Sequence, residues 1–197
     1  MKKSNKEELF RPVYLSIAQM SAKLADPTFL FCEMGRGSGK TTHIMAPRLD
    51  RVQNAMPGSL IILVASTYKS IFTNILPNLM EYFYENYEQG IYFELGQHPP
   101  AHFQKCGTKI TDWKNTISFV NGSVVQFVSC DRPESMVGLN TVHIFVDEML
   151  RINGDKFTER ILPALRSNRA KYGHSEYLWE FPVFLPHRIL KPIMTGF

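Results

Sequence analysis

The hydrophobic positions along the chain fall into two kinds of pattern. The first is the short continuous apolar run. Leu60 to Ala65 is bounded by Ser59 and Ser66, and it predicts a central parallel strand buried on both faces. Phe29 to Cys32 predicts a shorter buried strand, and Val142 to Val146 predicts another that ends in Asp147 and Glu148. Ile91 to Leu95 has the length of a short strand. Thr116 to Ser129 alternates, with Ile117 and Phe119 on one arm and Val125, Phe127 and Ser129 on the other. Asn121-Gly122 between the arms suits a two-residue turn, so this stretch predicts a β-hairpin.

The second pattern has helical spacing. Leu9, Val13, Ile17, Met20 and Leu24 form one stripe in residues 6 to 25, which Asp26-Pro27 ends; the stripe is expected to pack against the domain edge. A helix is expected from about Gly39 to Asn54, shortened or kinked by Pro47 and closed by Pro57-Gly58. Ser66 or Thr67 can cap the next helix, whose stripe of Tyr68, Ile71, Phe72, Ile75, Leu76, Leu79, Met80 and Phe83 reads as core packing, with a bend at Pro77. Phe157, Ile161, Leu162 and Leu165 mark a last helix, with a kink at Pro163. Residues 172–197 are rich in aromatics and prolines and show no periodicity. Strands alternating with helices, without internal repeats or a second pattern, predict one α/β domain.

Composition narrows the class. The chain has 197 residues, 44% hydrophobic and 20% charged, as a globular domain does. No apolar run approaches the length of a membrane span, and MKKSNKEELF lacks the apolar core of a signal peptide. The three cysteines, Cys32, Cys106 and Cys130, have no metal-ligand spacing and read as reduced thiols of a cytosol-like compartment. A net charge of +4 fits a nucleic-acid partner without requiring one. Lys105, Lys109 and Lys114 around Trp113 read first as a solvated loop, with nucleic-acid contact as the alternative.

The stretch MGRGSGKTT, Met34 to Thr42, carries the chemistry. Glycines 35, 37 and 39 open turns that a Cβ would close, so successive N–H groups can point into one anion-sized hollow. The helix after it adds its free amides and the positive end of its dipole. Lys40 can reach the β- and γ-phosphates, and the Thr41 hydroxyl is placed for magnesium. The pattern G-x-x-x-x-G-K-[ST] asks for glycine where Met34 stands. At the tip of the later strand, Asp147 is the candidate to hold the ion and Glu148 the candidate to polarise the attacking water. Gln19 is a candidate contact for an adenine base, and His143 reads as a satisfied strand histidine.

The order of an apolar strand, GRGSGKTT, LIILVAS, TISFVNGSVVQFVSCDRPESMVGLN and VHIFVDEM resembles the ATPase domain of tailed-bacteriophage large terminase subunits over about Phe29 to Asn168. The resemblance implies a P-loop NTPase of the additional-strand, catalytic-glutamate type, with a mostly parallel central sheet flanked by helices and a β-hairpin. It implies an ATP- and Mg2+-dependent ATPase of a DNA-packaging motor in the host-cell cytoplasm. Double-stranded DNA, a ring of identical subunits, the portal and the small terminase subunit would be its partners. Gly35, Arg36, Gly37, Ser38, Gly39, Lys40, Thr41 and Thr42 would bind the nucleotide, and Thr41 and Asp147 would hold the metal. Glu148, Arg36 and Arg132 would be catalytic: Arg36 as a γ-phosphate sensor, Arg132 as an arginine finger for the neighbouring subunit. For Arg132 a structural pair with Asp131 or Glu134 stands level with the finger. The expected ATPase domain spans residues 1–171, with residues 1–27 an N-terminal helical segment and 172–197 an irregular, truncated tail. No coupling motif or nuclease domain is legible after Lys171. A helicase-like P-loop ATPase and a nucleotide-binding remnant with little turnover are the alternative functions.

Overall fold

The computed structural model describes residues 13–178 except 28, 29, 36, 132–138 and 167. Among the described residues five strands form one sheet: β1 (Leu60–Ala65), β2 (Phe93–Leu95), β3 (Thr116–Phe119), β4 (Val124–Ser129) and β5 (His143–Val146), in the order β2-β3-β4-β1-β5. The central strand β1 pairs in parallel with β4, Leu60 opposite Val124 through Ala65 opposite Ser129, and with β5, Ile61 opposite His143. β3 runs antiparallel to both β4 and β2. The sheet is therefore mixed rather than mostly parallel, because the hairpin and its edge strand make up one half.

All six residues of β1 are buried, as an apolar run between two strands requires. Period-two alternation divides them. Ile61, Leu63 and Ala65 pack with Leu49, Val52, Met56, Leu79 and Phe83. Ile62 and Val64 pack on the other face with Val128, Ile144, Phe157 and Ile161. The helices on the first face are α2 (Ala46–Ala55) and α4 (Leu76–Asn86); a short α3 (Tyr68–Ser70), capped by the Thr67 side chain, precedes α4. α5 (Gly154–Lys156) leads into the second face.

The three prolines expected to kink helices act in one way. π-helical turns span Lys40–Met45, Ile71–Ile75 and Phe157–Ile161, and Pro47, Pro77 and Pro163 come two residues after each. Proline has no N–H and its ring collides with the carbonyl four residues back, so widening the preceding turn relieves the clash without ending the helix.

Four expectations need correction. Leu30–Cys32 forms no strand and Phe31 is 61% exposed; Phe29 lies outside the described residues. Among the described residues α1 (Ile17–Ala25) begins after Ser16 and turns its apolar stripe outward, with Gln19 its buried residue; residues 6–12 of the expected helix lie outside the described residues. At the hairpin, only Gly122 takes a positive φ (83°), within a four-residue link. Asn121 serves there by its side chain instead. It donates to the Gln53 carbonyl at 3.0 Å and the Gln53 side chain at 2.8 Å, while Ser123 Oγ donates to the Gln53 and Met56 carbonyls. These bonds satisfy carbonyls that the end of α2 leaves open. The last helix among the described residues, α6 (Arg169–Tyr172), crosses the expected boundary of the tail, and Tyr172, Tyr177 and Leu178 are buried in the core. Residues 179–197 of that tail lie outside the described residues.

Candidate nucleotide site

The carboxyl ends of β1, β4 and β5 lie side by side, because all three strands run in parallel. Ligands of open α/β sheets bind at such ends. Here the ends supply Ser66, Asp131 and the acidic pair Asp147-Glu148. Ser129 Oγ donates to the Ser66 carbonyl at 3.2 Å and makes a short hydrogen bond to Asp131, so Asp131 is engaged by its own strand end.

The phosphate-loop candidate is built from backbone. Gly37 and Gly39 both take left-handed φ values, 70° and 69°. Gly39 is the position where this cannot be replaced: a Cβ there would stand 2.6 Å from the His43 ring. Gly39 is also the N-cap of the π turn that continues into α2, and no side chain caps it. The first-turn amides of Lys40, Thr41 and Thr42 therefore meet no capping side chain, the arrangement an anion exploits. Ser38 Oγ donates to the Gly35 carbonyl at 2.7 Å and braces the loop from within. Lys40 Nζ donates to the Met34 and Gly35 carbonyls at 2.6 and 2.9 Å, so its ammonium lies across the loop.

α1 holds this loop through one residue. Gln19 accepts from the Ser16 amide at 2.7 Å and donates from Nε2 to the Ser38 carbonyl at 2.6 Å. Both ends of its amide are spent on the protein, which assigns Gln19 to the loop's support rather than to a base. The signal was in the sequence: Ser16-Ile-Ala-Gln19 is a capping-box pattern and marks the helix start. At the other end of α1, Asp26 takes φ 31° and pairs with Arg48 at 2.6 Å and Arg51 at 2.9 Å, while Tyr177 donates to it. Burial works against the Asp26 charge, but the Tyr177 and Arg51 hydrogen bonds and the Arg51 and Arg48 charges hold its carboxyl below the usual range. No pattern along the chain announced this cluster, whose members come from three distant segments.

The acidic tip faces the loop electrostatically. Burial pushes the Asp147 carboxyl up and the neighbouring Glu148 charge adds to this; the Glu148 amide and the Lys40 ammonium pull it down. A half-buried carboxylate crowded by a second one favours a cation beside it. Glu148 is a non-glycine residue in the left-handed region, φ 49° and ψ 48°, a strained conformation of the kind found at functional positions. Its Oε2 lies 3.1 Å from Arg151 Nη1, an ion pair without the angles of a hydrogen bond. Arg151 is more than half exposed, so the pair orients Glu148 more than it stabilises the fold.

Within the loop, Ser38 and Lys40 are bonded to Gly35; the charge of Lys40 is felt at Asp147, and Glu148 follows Asp147 at the tip of β5. Arg36 and Arg132 lie outside the described residues. His143 is buried, its Nδ1 2.9 Å from the Tyr177 carbonyl, and burial lowers its pKa to about 3. Among the described residues no three His, Cys, Asp or Glu side chains gather as a metal site. The expected ligands Thr41 and Asp147 would be a donor pair of the sparse kind that suffices when phosphates complete a magnesium shell. No helix among the described residues is long and apolar enough to cross a membrane.

The model of the family described as terminase large subunit, T4likevirus-type, N-terminal, matches residues 31–176. Two solved structures are similar: the large terminase ATPase domain of Thermus phage P74-26, and an arginine-to-alanine mutant of that domain. Each is 19% identical with a TM-score of 0.50, over 79% of this chain and 60% of that one. The chain thus spans about three-fifths of the solved domains it resembles. No curated protein matches.

Proposed function

Because the chain belongs to the family of T4-type large terminase subunits, over their N-terminal part, we propose that it binds ATP with magnesium at Lys40, Thr41 and Asp147 and hydrolyses it to drive packaging of double-stranded DNA. The observation that supports this reading is the loop geometry: Gly39, at a left-handed φ, opens a helix whose first-turn amides meet no capping side chain, with Lys40 laid across the loop. In this reading the fold is a P-loop NTPase of the additional-strand type.

The residues divide the work. The amides of residues 35 to 42 receive phosphate oxygens, and Lys40 exchanges two carbonyl partners for them. Thr41 Oγ1 and Asp147 hold the ion. Magnesium, when bound, neutralises phosphate charge and favours the in-line displacement. Glu148 accepts the proton of the attacking water. By the family likeness, Arg36 senses the γ-phosphate and Arg132 reaches the site of a neighbouring copy in a ring. The portal, the small terminase subunit and the host cytoplasm belong to the same reading.

The test is phosphate release by wild type and Glu148→Gln with Mg2+ and ATP, with and without DNA. The carboxamide keeps the shape and loses the base, so binding stays and turnover goes. Equal turnover in the two proteins would remove Glu148 from the chemistry. Mixing Arg132→Ala with Lys40→Ala chains should restore part of the turnover if Arg132 acts across the subunit boundary; no recovery in assemblies that form would assign Arg132 a structural pair.

A further inference from the structure

The amino ends of β1 and β4 border a second cleft. From Gly96 to Asp112 the chain forms neither helix nor strand. A connection of that length inside a packed domain is uncommon unless it serves a function. Backbone bonds pin it to the sheet: the Gln104 amide donates to the Val120 carbonyl at 3.0 Å, and the Gly107 amide donates to the Gly58 carbonyl at 2.8 Å. Gly122 in the hairpin link, at φ 83°, admits the loop closely, for a Cβ there would stand 2.9 Å from the Lys105 carbonyl. Between loop and hairpin lies a cleft of about 340 Å³, a size at the low end for small-ligand sites.

Two kinds of group line it. His98 and Trp113 lie with ring centroids 4.9 Å apart, and Phe103 and Phe119 add apolar wall. Lys105 and Lys109 supply positive charge. Among the described residues no Asp or Glu lines the cleft, and neither lysine forms an ion pair. The loop's one acid, Asp112, accepts instead from the Lys114 amide at 3.1 Å and from Asn115 Nδ2 at 2.6 Å. Rings beside unpaired lysines are the elements of a single-strand nucleic-acid site: rings stack on bases of any identity, and lysines meet phosphates. An acidic peptide would use the lysines alone, and a duplex keeps the faces of its bases stacked inside.

We propose that this cleft takes an unpaired nucleotide of a nucleic-acid strand, its base against Trp113 and His98 and its flanking phosphates at Lys105 and Lys109. β4 is six residues long, so its two ends lie about 20 Å apart. The cleft is at the amino end and the ATP site at the carboxyl end. The inference therefore goes beyond the ATPase reading and does not rest on it.

Anisotropy of a fluorescent oligothymidylate titrated with the full chain tests this, with a duplex of the same length as second probe. Wild type should bind the single strand more tightly than the duplex. Trp113→Ala should weaken single-strand binding about tenfold or more, and Trp113→Phe should keep most of it, since a benzene ring still stacks. Lys105→Ala with Lys109→Ala changes two exposed side chains. It should weaken binding and lower the slope of log affinity against log salt by about 1.4. ATP affinity, measured separately, should be the same in all four proteins; a chain that binds the strand but no ATP would deny the ATPase reading and leave this one standing. Single-strand affinity untouched by both Trp113→Ala and the lysine pair would overturn the cleft. Duplex bound as tightly as the single strand, with Trp113→Ala without effect, would overturn it in favour of a plain phosphate surface. Displacement of the strand by polyglutamate as readily as by unlabelled oligothymidylate would overturn it in favour of an acidic peptide.

Discussion

Leu60–Ala65 and Leu30–Gly35 both begin as apolar runs, and the chain treats them oppositely. The first is the centre of the sheet, buried on both faces and flanked by β4 and β5. The second takes no regular structure and exposes Phe31. An apolar run becomes a strand only where neighbours complete its ladder and cover its faces. The consequence extends beyond shape. The region around β1 is held by burial, whereas α1 and the phosphate loop are held by a few polar bonds: Gln19 to Ser38, Lys40 to Met34 and Gly35, Asp26 to Arg48 and Arg51. Net, such bonds contribute about 1 kcal/mol each, so this is the part of the molecule that a ligand can rearrange.

The comparison is broken most strongly by changes that separate activity from stability. Glu148→Gln should cut turnover by about 10²–10⁴-fold while leaving the thermal midpoint and nucleotide affinity near wild type. A fall in the midpoint of the size a core change produces would show that Glu148 belongs to the framework. On the sheet side, Phe127→Ala should cost about 3–5 kcal/mol in urea unfolding, since the Phe127 side chain is 1% exposed and meets Phe72 edge-on. A cost below about 1 kcal/mol would mean that the sheet is not held by burial.

The sheet also has a pH signature. His143 is neutral in the fold, with its pKa lowered from 6.5 to about 3 by burial. The unfolded chain takes up a proton first, so stability is complete above pH 6.5 and falls as the pH drops toward 3, by up to about 1.4 kcal/mol per unit. Asp26, whose pKa is depressed, acts in the same direction lower down: its contribution is present above 3.8 and is lost as the pH falls below. His143→Gln should flatten the limb between about pH 6 and 4 and leave the lower one. An unchanged limb would mean that His143 titrates the same in both states.

The smallest effect is the most local. Gln19→Ala should cost about 1 kcal/mol or less globally, yet it should raise amide exchange selectively in residues 37–40. Uniform exchange across the loop and β1 would deny that Gln19 is the loop's tether.

The sequence carried the sheet well because its information is local. LIILVA, the hairpin alternation and the acidic strand tip each need only neighbours in the chain to be read, and β1, β3, β4 and β5 stand where those patterns lie. The mixed character of the sheet was less legible, since it follows from how the hairpin joins the parallel strands through β4 and extends to three-residue β2, which pairing rather than pattern decides. The outward stripe of α1 was misread because periodicity gives a face but not its direction. The prolines were read as kinks; that each widens a turn into a π-helix depends on the helix continuing beyond it, which packing decides. At the site, the glycines, Lys40 and Asp147-Glu148 were visible as motifs. The bond from Gln19 to Ser38 and the cluster of Asp26, Arg48, Arg51 and Tyr177 were not, since they join segments up to 151 positions apart.

The central claim is that Met34 to Thr42 and the tip of β5 form one magnesium-nucleotide site. Titration calorimetry of ATP with Mg2+ into wild type, Lys40→Ala and Asp147→Asn tests it most directly. The account predicts binding by wild type and a loss of more than tenfold in affinity for Lys40→Ala, about 1.4 kcal/mol or more. It predicts for Asp147→Asn that the loss appears only when magnesium is present. Affinity for ATP that is the same in all three proteins, with and without the metal, would contradict it.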